Sequence, residues 1–484
     1  MREYRKPAAL LLKSLLVLTL AAAWLPGGAL AATQDQVNEV RQLLEEYHIS
    51  KPTDEELSKP EIDEMIHSLN DPYTEYFTPE DLQRFSNAVD QSFVGTGIVM
   101  TEDDGVVYVE DVIEGSPAAR AGLSPGDAIV AIDGMPTVGM TVQAVAAAES
   151  GPAGTSVAIA VKRGIVKLQF FVARAALQMP VASSRLMGDG VGYLRLDSFS
   201  SDAASRFKKQ LDSLERQDIR SLVVDLRGNG GGYVDQAQQI GALFVADGIL
   251  AHVADRDGND TPIPLKGVSR DYPVYLLVDG GSASSTELLA GALQEYGVAK
   301  LVGANTYGKG VIQQLISVKS GGTLKVTVQE YKTPGGKKVD KVGLAPDVPV
   351  SGYVQQLLKA YRLAGGGNVR LTAGRGALVV NGVRMAGAGF VTRKDGVWYV
   401  NSRLAALASE SVLSYDAKAR QIVLTKQGGT NRLATKDSHV VVKNGVSYID
   451  VRLLSKWYGN LSWASAGDGT LTLYDAADSA DAAA

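Results

Sequence analysis

A serine hydroxyl and a lysine amine, each set in a glycine-rich segment, are the residue types here that can do covalent chemistry together. The serine segment is Gly281-Ser282-Ala283-Ser284-Ser285-Thr286-Glu287, and the lysine segment is Gly303-Ala304-Asn305-Thr306-Tyr307-Gly308-Lys309-Gly310-Val311-Ile312-Gln313-Gln314. A third, Val224-Asp225-Leu226-Arg227-Gly228-Asn229-Gly230-Gly231-Gly232, offers unhindered backbone N–H groups. A serine hydroxyl is a poor nucleophile until a neighbouring base takes its proton. Acyl transfer also needs donors aimed at the developing oxyanion. Histidine is scarce: His48, His67, His252 and His439 are scattered, with no H-E-x-x-H pair to hold a metal. Cysteine is absent, which removes disulfides, thiol catalysis and Cys-ligated zinc. A lysine base must be destabilised as an ammonium, because its ordinary pKa of about 10.4 keeps it protonated at neutral pH. Burial lowers that value by several units, and a fall of about three units corresponds to roughly 4 kcal/mol.

Taken singly, these residues have plainer readings. Ser284-x-x-Glu287 is also a capping box for a following helix, and on the residues alone that is the better reading. Capping and catalysis are partly compatible, since a helix N-terminus also stabilises negative charge. The glycine run has the character of a phosphate cradle, but it lacks both the G-x-G-x-x-G spacing and the Gly-Lys-Ser/Thr ending of a P-loop. Lys309 alone is a solvated lysine, and a triad through His252 is the remaining serine option.

The elements that must position these groups are legible as patterns. Apolar runs Val191–Leu196, Leu222–Leu226, Val274–Val278 and Leu301–Val302 alternate with helical stretches near Asp202–Glu215, Tyr233–Val245 and Thr286–Tyr296. Such alternation predicts a mostly parallel sheet covered by helices, with chemistry at the loops after the strands' C-terminal ends. Residues 34–90 are polar with helical spacing at Val37, Val40, Leu43 and Leu44, which predicts a helical N-terminal arm or cap, too small to be the body of an enzyme and open to a role in self-association. Beyond residue 350 a glycine-rich stretch leads to a β-rich region that repeats itself. Asp395-Gly396-Val397-Trp398-Tyr399-Val400 aligns with Asn444-Gly445-Val446-Ser447-Tyr448-Ile449, 49 residues later.

From Ser92 to Arg174 short β-type runs are punctuated by glycine, with Gly115-Ser116-Pro117-Ala118-Ala119-Arg120-Ala121-Gly122-Leu123 between them. This segment resembles a PDZ domain of the bacterial protease type. The resemblance implies that the loop Val94-Gly95-Thr96-Gly97-Ile98 offers N–H groups to a peptide's terminal carboxylate while the peptide adds as a strand. The three glycine-rich segments, with Gly192-Tyr193-Leu194-Arg195-Leu196 and Gly343-Leu344-Ala345-Pro346-Asp347, resemble the C-terminal processing peptidases, or tail-specific proteases, over roughly residues 60–350. That resemblance implies Ser284 as nucleophile, Lys309 as general base 25 residues later, and Gln313 as the orienter of the lysine. A neutral glutamine can bond an amine without restoring its charge, whereas a carboxylate there would raise the pKa. Gly231 or Gly232 with the N–H of Ser285 are the oxyanion candidates; Gly230 stands where the family commonly has proline. The repeated region is similar to the amine-oxidase N-terminal-like modules of exported bacterial proteins.

The expected fold is multidomain α+β and α/β: signal peptide 1–31, helical arm 34–90, PDZ domain 92–174, serine peptidase core 175–352, linker 353–374, C-terminal repeat module 375–475 and tail 476–484. The basic start, apolar run Leu15–Leu25 and Ala29-Leu30-Ala31 describe a secretory signal. An exported or envelope protein is therefore expected, with an uncleaved anchor as the variant. The net charge of −5, without long basic runs, gives no support for nucleic-acid binding, and no nucleic-acid partner is expected. No metal or cofactor is expected. The expected partners are protein or peptide substrates with apolar C-terminal tails, a second copy through the arm, and cell wall through the repeat module. The rival reading is a non-catalytic exported PDZ scaffold or envelope-binding protein.

Overall fold

The computed structural model describes residues 32–475 except 104, 375–376, 387–388, 427 and 467–469; the leader expected at 1–31 and the tail 476–484 lie outside the described residues. The chain divides into two units. One runs from the arm to Ser184 and resumes at Tyr193–Pro349; the other joins Arg185–Gly192 to Val350 and beyond.

The arm folds as α1 (Gln34–Tyr47), α2 (Asp54–Leu57), α3 (Ile62–Ser68), the strand β1 (Glu75–Phe77) and α4 (Pro79–Val89). Thr33 and Thr53 accept from the third-residue N–H groups while Gln36 and Glu56 bond back, which starts α1 and α2. The apolar stripe of α1, Val37, Val40 and Leu44, is spent internally: it packs with Met65 against Val318, Leu324 and Val326 of the peptidase core.

The next segment comprises β2 (Ser92–Gly95), β3 (Ile98–Asp103), β4 (Val106–Val112), α5 (Pro117–Ala121), β5 (Ala128–Ile132), β6 (Met135–Pro136), α6 (Val142–Glu149), β7 (Ser156–Arg163), β8 (Val166–Ala173) and β9 (Ala175–Gln178). Alternating apolar residues such as Val157, Ile159 and Val161 turn one face of the β3-β4-β5-β7-β8 sheet into its own core. Strand β3 is an edge strand. Strands β2 and β9, entering and leaving this domain, pair antiparallel as a separate two-stranded ribbon.

The core continues with β10 (Ala182–Leu186), β11 (Val191–Leu196), α7 (Ala203–Glu215), β12 (Ser221–Asp225), α8 (Val234–Gly241), β13 (Asp247–Asp255), β14 (Ile263–Lys266), β15 (Val274–Val278), α9 (Ser285–Glu295), β16 (Ala299–Gly303), β17 (Val311–Ser317), β18 (Thr323–Lys332) and β19 (Val348–Pro349). The main sheet runs β10-β11-β12-β15-β16-β19, with β12, β15, β16 and β19 parallel, as the alternation predicts. Helices α7, α8 and α9 bury Phe207, Ile240 and Leu289 in the same core. A second sheet, which the alternation does not predict, is antiparallel: β1-β18-β13-β14, with β17 beside β18. The arm contributes its edge strand, Glu75 opposite Lys325 and Phe77 opposite Thr323.

In the second unit the 49-residue repeat is visible as structure. Strand Val397–Asn401 and helix Ser402–Ala408 are matched by strand Val446–Asp450 and helix Val451–Trp457. The two equivalent strands pair antiparallel, with Val400 opposite Ile449.

Candidate active site

All five residues of β12 are buried, so the chain leaves the sheet at a fixed point. There Asp225, fully buried, takes both Arg227 Nε (2.8 Å) and Arg227 Nη2 (2.6 Å) and the hydroxyl of Tyr193 (2.8 Å). Burial pushes its carboxyl up, but Arg227 and Arg195 outweigh burial and hold it below the usual carboxylate range. The turn above it is clamped by Asn229. The Asn229 side chain donates to Leu196 O (3.0 Å) and accepts from Gly231 N–H (2.9 Å), while its carbonyl takes Ala283 N–H (3.1 Å) and Thr286 Oγ1 (2.9 Å).

That clamp fits the glycine turn directly under the serine segment. A Cβ on Gly231, whose φ is +102°, would lie 2.8 Å from Ala283 O, 2.9 Å from Ser284 Cβ and 3.0 Å from Ser285 N, so only glycine fits. Gly232 is equally closed, with Phe199 O 2.3 Å from the Cβ position, and its carbonyl accepts from Ser285 Oγ (2.8 Å). Since Gly231 N–H is already given to Asn229, it is not a free oxyanion donor. Among the described residues no hydrogen bond is made by the N–H of Gly232 or of Ser285. Gly230 lies in open space and outside the left-handed region, so the absence of proline there leaves the turn intact.

Strand β15 is followed by the turn Asp279-Gly280-Gly281, and Ser284 stands at the head of α9 with φ 57° and ψ −119°. This conformation is costly for a non-glycine residue, and a sharp strand-to-helix turn of this kind projects a side chain outward. Ser284 occupies the N-cap position of a capping box with Glu287, though its hydroxyl makes no close cap hydrogen bond. The backbone carries the capping instead: Ser284 N–H donates to Glu287 Oε2 (3.0 Å) and Ser284 O accepts from Glu287 N–H (2.7 Å). The hydroxyl is left for other work.

Glu287, fully buried, is the residue whose role the serine segment alone does not reveal. Besides Ser284 N–H, its carboxylate takes Lys309 N–H (2.9 Å), Gly308 N–H (2.8 Å) and Thr306 Oγ1. From the other side the Tyr331 hydroxyl reaches Lys309 O (2.8 Å) and Ser284 O (3.2 Å). One carboxylate and one phenol therefore join the backbones of Ser284 and Lys309.

The Lys309 amine lies 4.9 Å from the centre of the Tyr73 ring, which the arm supplies. Burial, with help from Lys325, brings its pKa down to about 8, against the opposing pull of Asp71, Glu75 and Glu287. Gln313 sits at a register irregularity between β17 and β18 and donates to Thr327 Oγ1 (3.2 Å), not to the lysine. Among the described residues no hydrogen bond joins Lys309 Nζ to Ser284 Oγ or to Gln313. Catalytic contacts are often long in unliganded enzymes and tighten around substrate. His252 bonds Asp260 Oδ2 through Nδ1 (2.6 Å) and has no part in this cluster.

In the PDZ segment, Val94 and Gly95 are held in the β2–β9 ribbon opposite Ala176 and Ala175. Thr96 N–H is given to the buried Glu149 carboxylate (3.1 Å), which Thr96 Oγ1 also approaches. Gly97, with φ +96° and Ser116 Cβ 2.2 Å from its Cβ position, requires glycine, and Ile98 opens the edge strand β3.

The profile of peptidase family S41 matches residues 190–350, and that of the PDZ domain matches residues 108–163. Carboxy-terminal processing protease CtpB of Bacillus subtilis is 32% identical over 323 residues, covering 65% of this chain and 67% of that protein. CtpA of the same organism is 31% identical over 317 residues, covering 65% and 68%. Among solved structures, the photosystem II D1 C-terminal processing protease is similar with 25% identity and a TM-score of 0.45, over 69% of this chain and 98% of that one.

Proposed function

Because the chain belongs to peptidase family S41, as a serine-type carboxy-terminal processing protease with a PDZ domain, we propose that it cleaves proteins with a Ser284–Lys309 pair. In this reading the neutral Lys309 amine takes the Ser284 proton as Oγ attacks the scissile carbonyl. The tetrahedral oxyanion is met by the N–H groups of Ser285 and Gly232, at the positive end of α9. Collapse expels the amine half, which receives the proton from Lys309, and leaves an acyl ester on Ser284. Water activated by the same amine then hydrolyses the ester. Gln313 acts at one remove, bracing the lysine pocket through Thr327 rather than touching the amine.

The observation that carries the reading is the joint anchoring of Ser284 and Lys309 on Glu287 and Tyr331, with a lysine whose pKa is brought down to about 8. Cleavage of fluorescein-labelled casein by wild type, Ser284→Ala and Lys309→Ala tests it. Activity confined to wild type is expected; equal residual activity in all three would remove the mechanism and favour a scaffold.

The remaining parts follow the same reading. An apolar C-terminal tail adds to edge strand β3 and delivers the chain to Ser284. The N-terminal leader exports the enzyme, and the repeat module contacts the cell envelope. Removing residues 92–174 should change the preference for tailed over tailless substrates. Fractionation of cells should find the enzyme outside the cytoplasm, and pull-down on isolated cell wall should depend on residues 375–475.

A further inference from the structure

Lys309 sits on a loop between two strands, yet its amine is largely withdrawn from water, and the N-terminal arm sets an aromatic ring beside it. The arm turn Asn70-Asp71-Pro72-Tyr73-Thr74 is bolted down at several points. Asp71 accepts from Tyr73 N–H (3.0 Å) and Thr74 Oγ1 (2.6 Å) and meets His48 Nε2 at 3.3 Å. Thr74 Oγ1 in turn accepts from Thr327 N–H (3.1 Å), and Thr327 O accepts from Ile49 N–H (2.9 Å). Thr327 is also the residue that Gln313 bonds. With β1 paired to β18, the arm and the lysine pocket are one hydrogen-bonded construction.

The result is a fixed aromatic ring over Lys309 Nζ. Burial and the neighbouring Tyr307 push the Tyr73 hydroxyl up to about 12, so it stays neutral and is no rival base. The charged groups around the amine are Lys325, Asp71, Glu75 and Glu287, with Asp340 beside Tyr73. Three carboxylates favour the ammonium there; Lys325 and exclusion of water oppose it. A ring face attracts an ammonium, but the same ring keeps water away, and burial is the largest influence on this lysine.

We propose that Tyr73 is a positioning residue for catalysis: its ring walls the Lys309 amine from water, so the N-terminal arm completes the active site. This rests on the Ser284–Lys309 reading. The test is the pH dependence of kcat/KM on fluorescein-labelled casein, over roughly pH 6 to 10, for full-length wild type, Tyr73→Phe, Tyr73→Leu and Tyr73→Gln. Thermal midpoints confirm that each variant is folded. Gln has similar reach but brings water, so its acidic limb should rise by about one pH unit, a roughly tenfold loss near neutrality recovered at high pH. Phe should keep the wild-type limb. Leu, which keeps the exclusion and loses the ring's attraction, should hold the limb at or below wild type. A Gln variant that is merely slower with an unmoved limb overturns the proposal, as does a Leu variant that shifts as far as Gln. Lys309→Ala included alongside separates the two readings. If it stays active, the Ser–Lys mechanism falls and this inference with it; if it is inert while all Tyr73 limbs coincide, only the role of Tyr73 falls.

Discussion

Two neighbouring glycines in the turn after β12 should respond oppositely to the same added methyl group. Gly231→Ala places a Cβ within 3.0 Å of three atoms, Ala283 O, Ser284 Cβ and Ser285 N, at a φ of +102°. The backbone conformation alone costs a non-glycine residue about 1–3 kcal/mol. Relief of the contacts requires the turn and the Ser284 peptide to separate by several tenths of an ångström, because Asn229 clamps the turn to the serine segment from beneath. A stability loss of about 2–4 kcal/mol is expected. On the proposed mechanism, displacing Ser284 together with the N–H groups of Ser285 and Gly232 should lower kcat by about a hundredfold. Gly230→Ala adds the same methyl into open space and outside the left-handed region. There the loss of unfolded-state freedom should stabilise the protein by about 0.4–1 kcal/mol, with kcat unchanged. Casein turnover and thermal midpoints of both variants are the assay. Equal losses in the two, or wild-type kcat in Gly231→Ala, would refute the placement of the turn against Ser284.

Lys309→Met should be inactive and yet more stable at neutral pH, by up to about 3 kcal/mol, since it removes a buried group whose pKa has fallen from about 10.4 to about 8; equal or lower denaturant stability would count against a strained ammonium. In wild type the unfolded chain binds more protons at this site between about pH 8 and pH 10.4, so this contribution to stability rises with pH across that window and is flat below it. The variant should lack the rise. Glu287→Gln turns one buried acceptor oxygen into a donor that opposes either the N–H groups of Ser284 and Lys309 or that of Gly308, at about 2–4 kcal/mol, with loss of activity that Glu287→Asp does not restore; calorimetry and casein turnover check both. Glu149→Gln should tighten binding of a fluorescent peptide with a free apolar C-terminus by several-fold, because the native carboxylate already engages Thr96 N–H and repels a second carboxylate. An unchanged affinity for that peptide would show that Glu149 only braces the loop.

Much of the core was readable from pattern because its information is local. The run Val191–Leu196 is β11 residue for residue, and the helix after Ser284 begins where the Ser-x-x-Glu pattern suggests. The same pattern tells only part of the role of Glu287: it does cap, taking Ser284 N–H, but its carboxylate also reaches across to a loop more than twenty residues away. Nothing in a one-dimensional pattern marks that reach. The arm reads as a free amphipathic piece because the surface covering Val37, Val40 and Leu44 comes from β17 and β18, far along the chain. Tyr73 is missed for the same reason, and Asn229 passes as one more turn residue although both its side-chain amide atoms and its carbonyl are engaged. The resemblance to tail-specific proteases supplied Gln313, but the distance to Thr327 is a matter of register, displaced by the irregularity between β17 and β18.

The ribbon of β2 and β9 makes the PDZ domain a detachable cassette. Its two ends run side by side, Ser92 opposite Gln178, and just outside them Met179 N–H bonds Gln91 O at 2.9 Å. Excising the segment would leave two ends already a peptide's reach apart, so the remaining chain need not be re-laid, and the loop-closure cost of carrying the domain is settled by the ribbon itself. A PDZ domain with different tail preference could be spliced onto the same two strands. Recognition can then drift in evolution, or be changed by design, while the bond-breaking apparatus keeps its geometry.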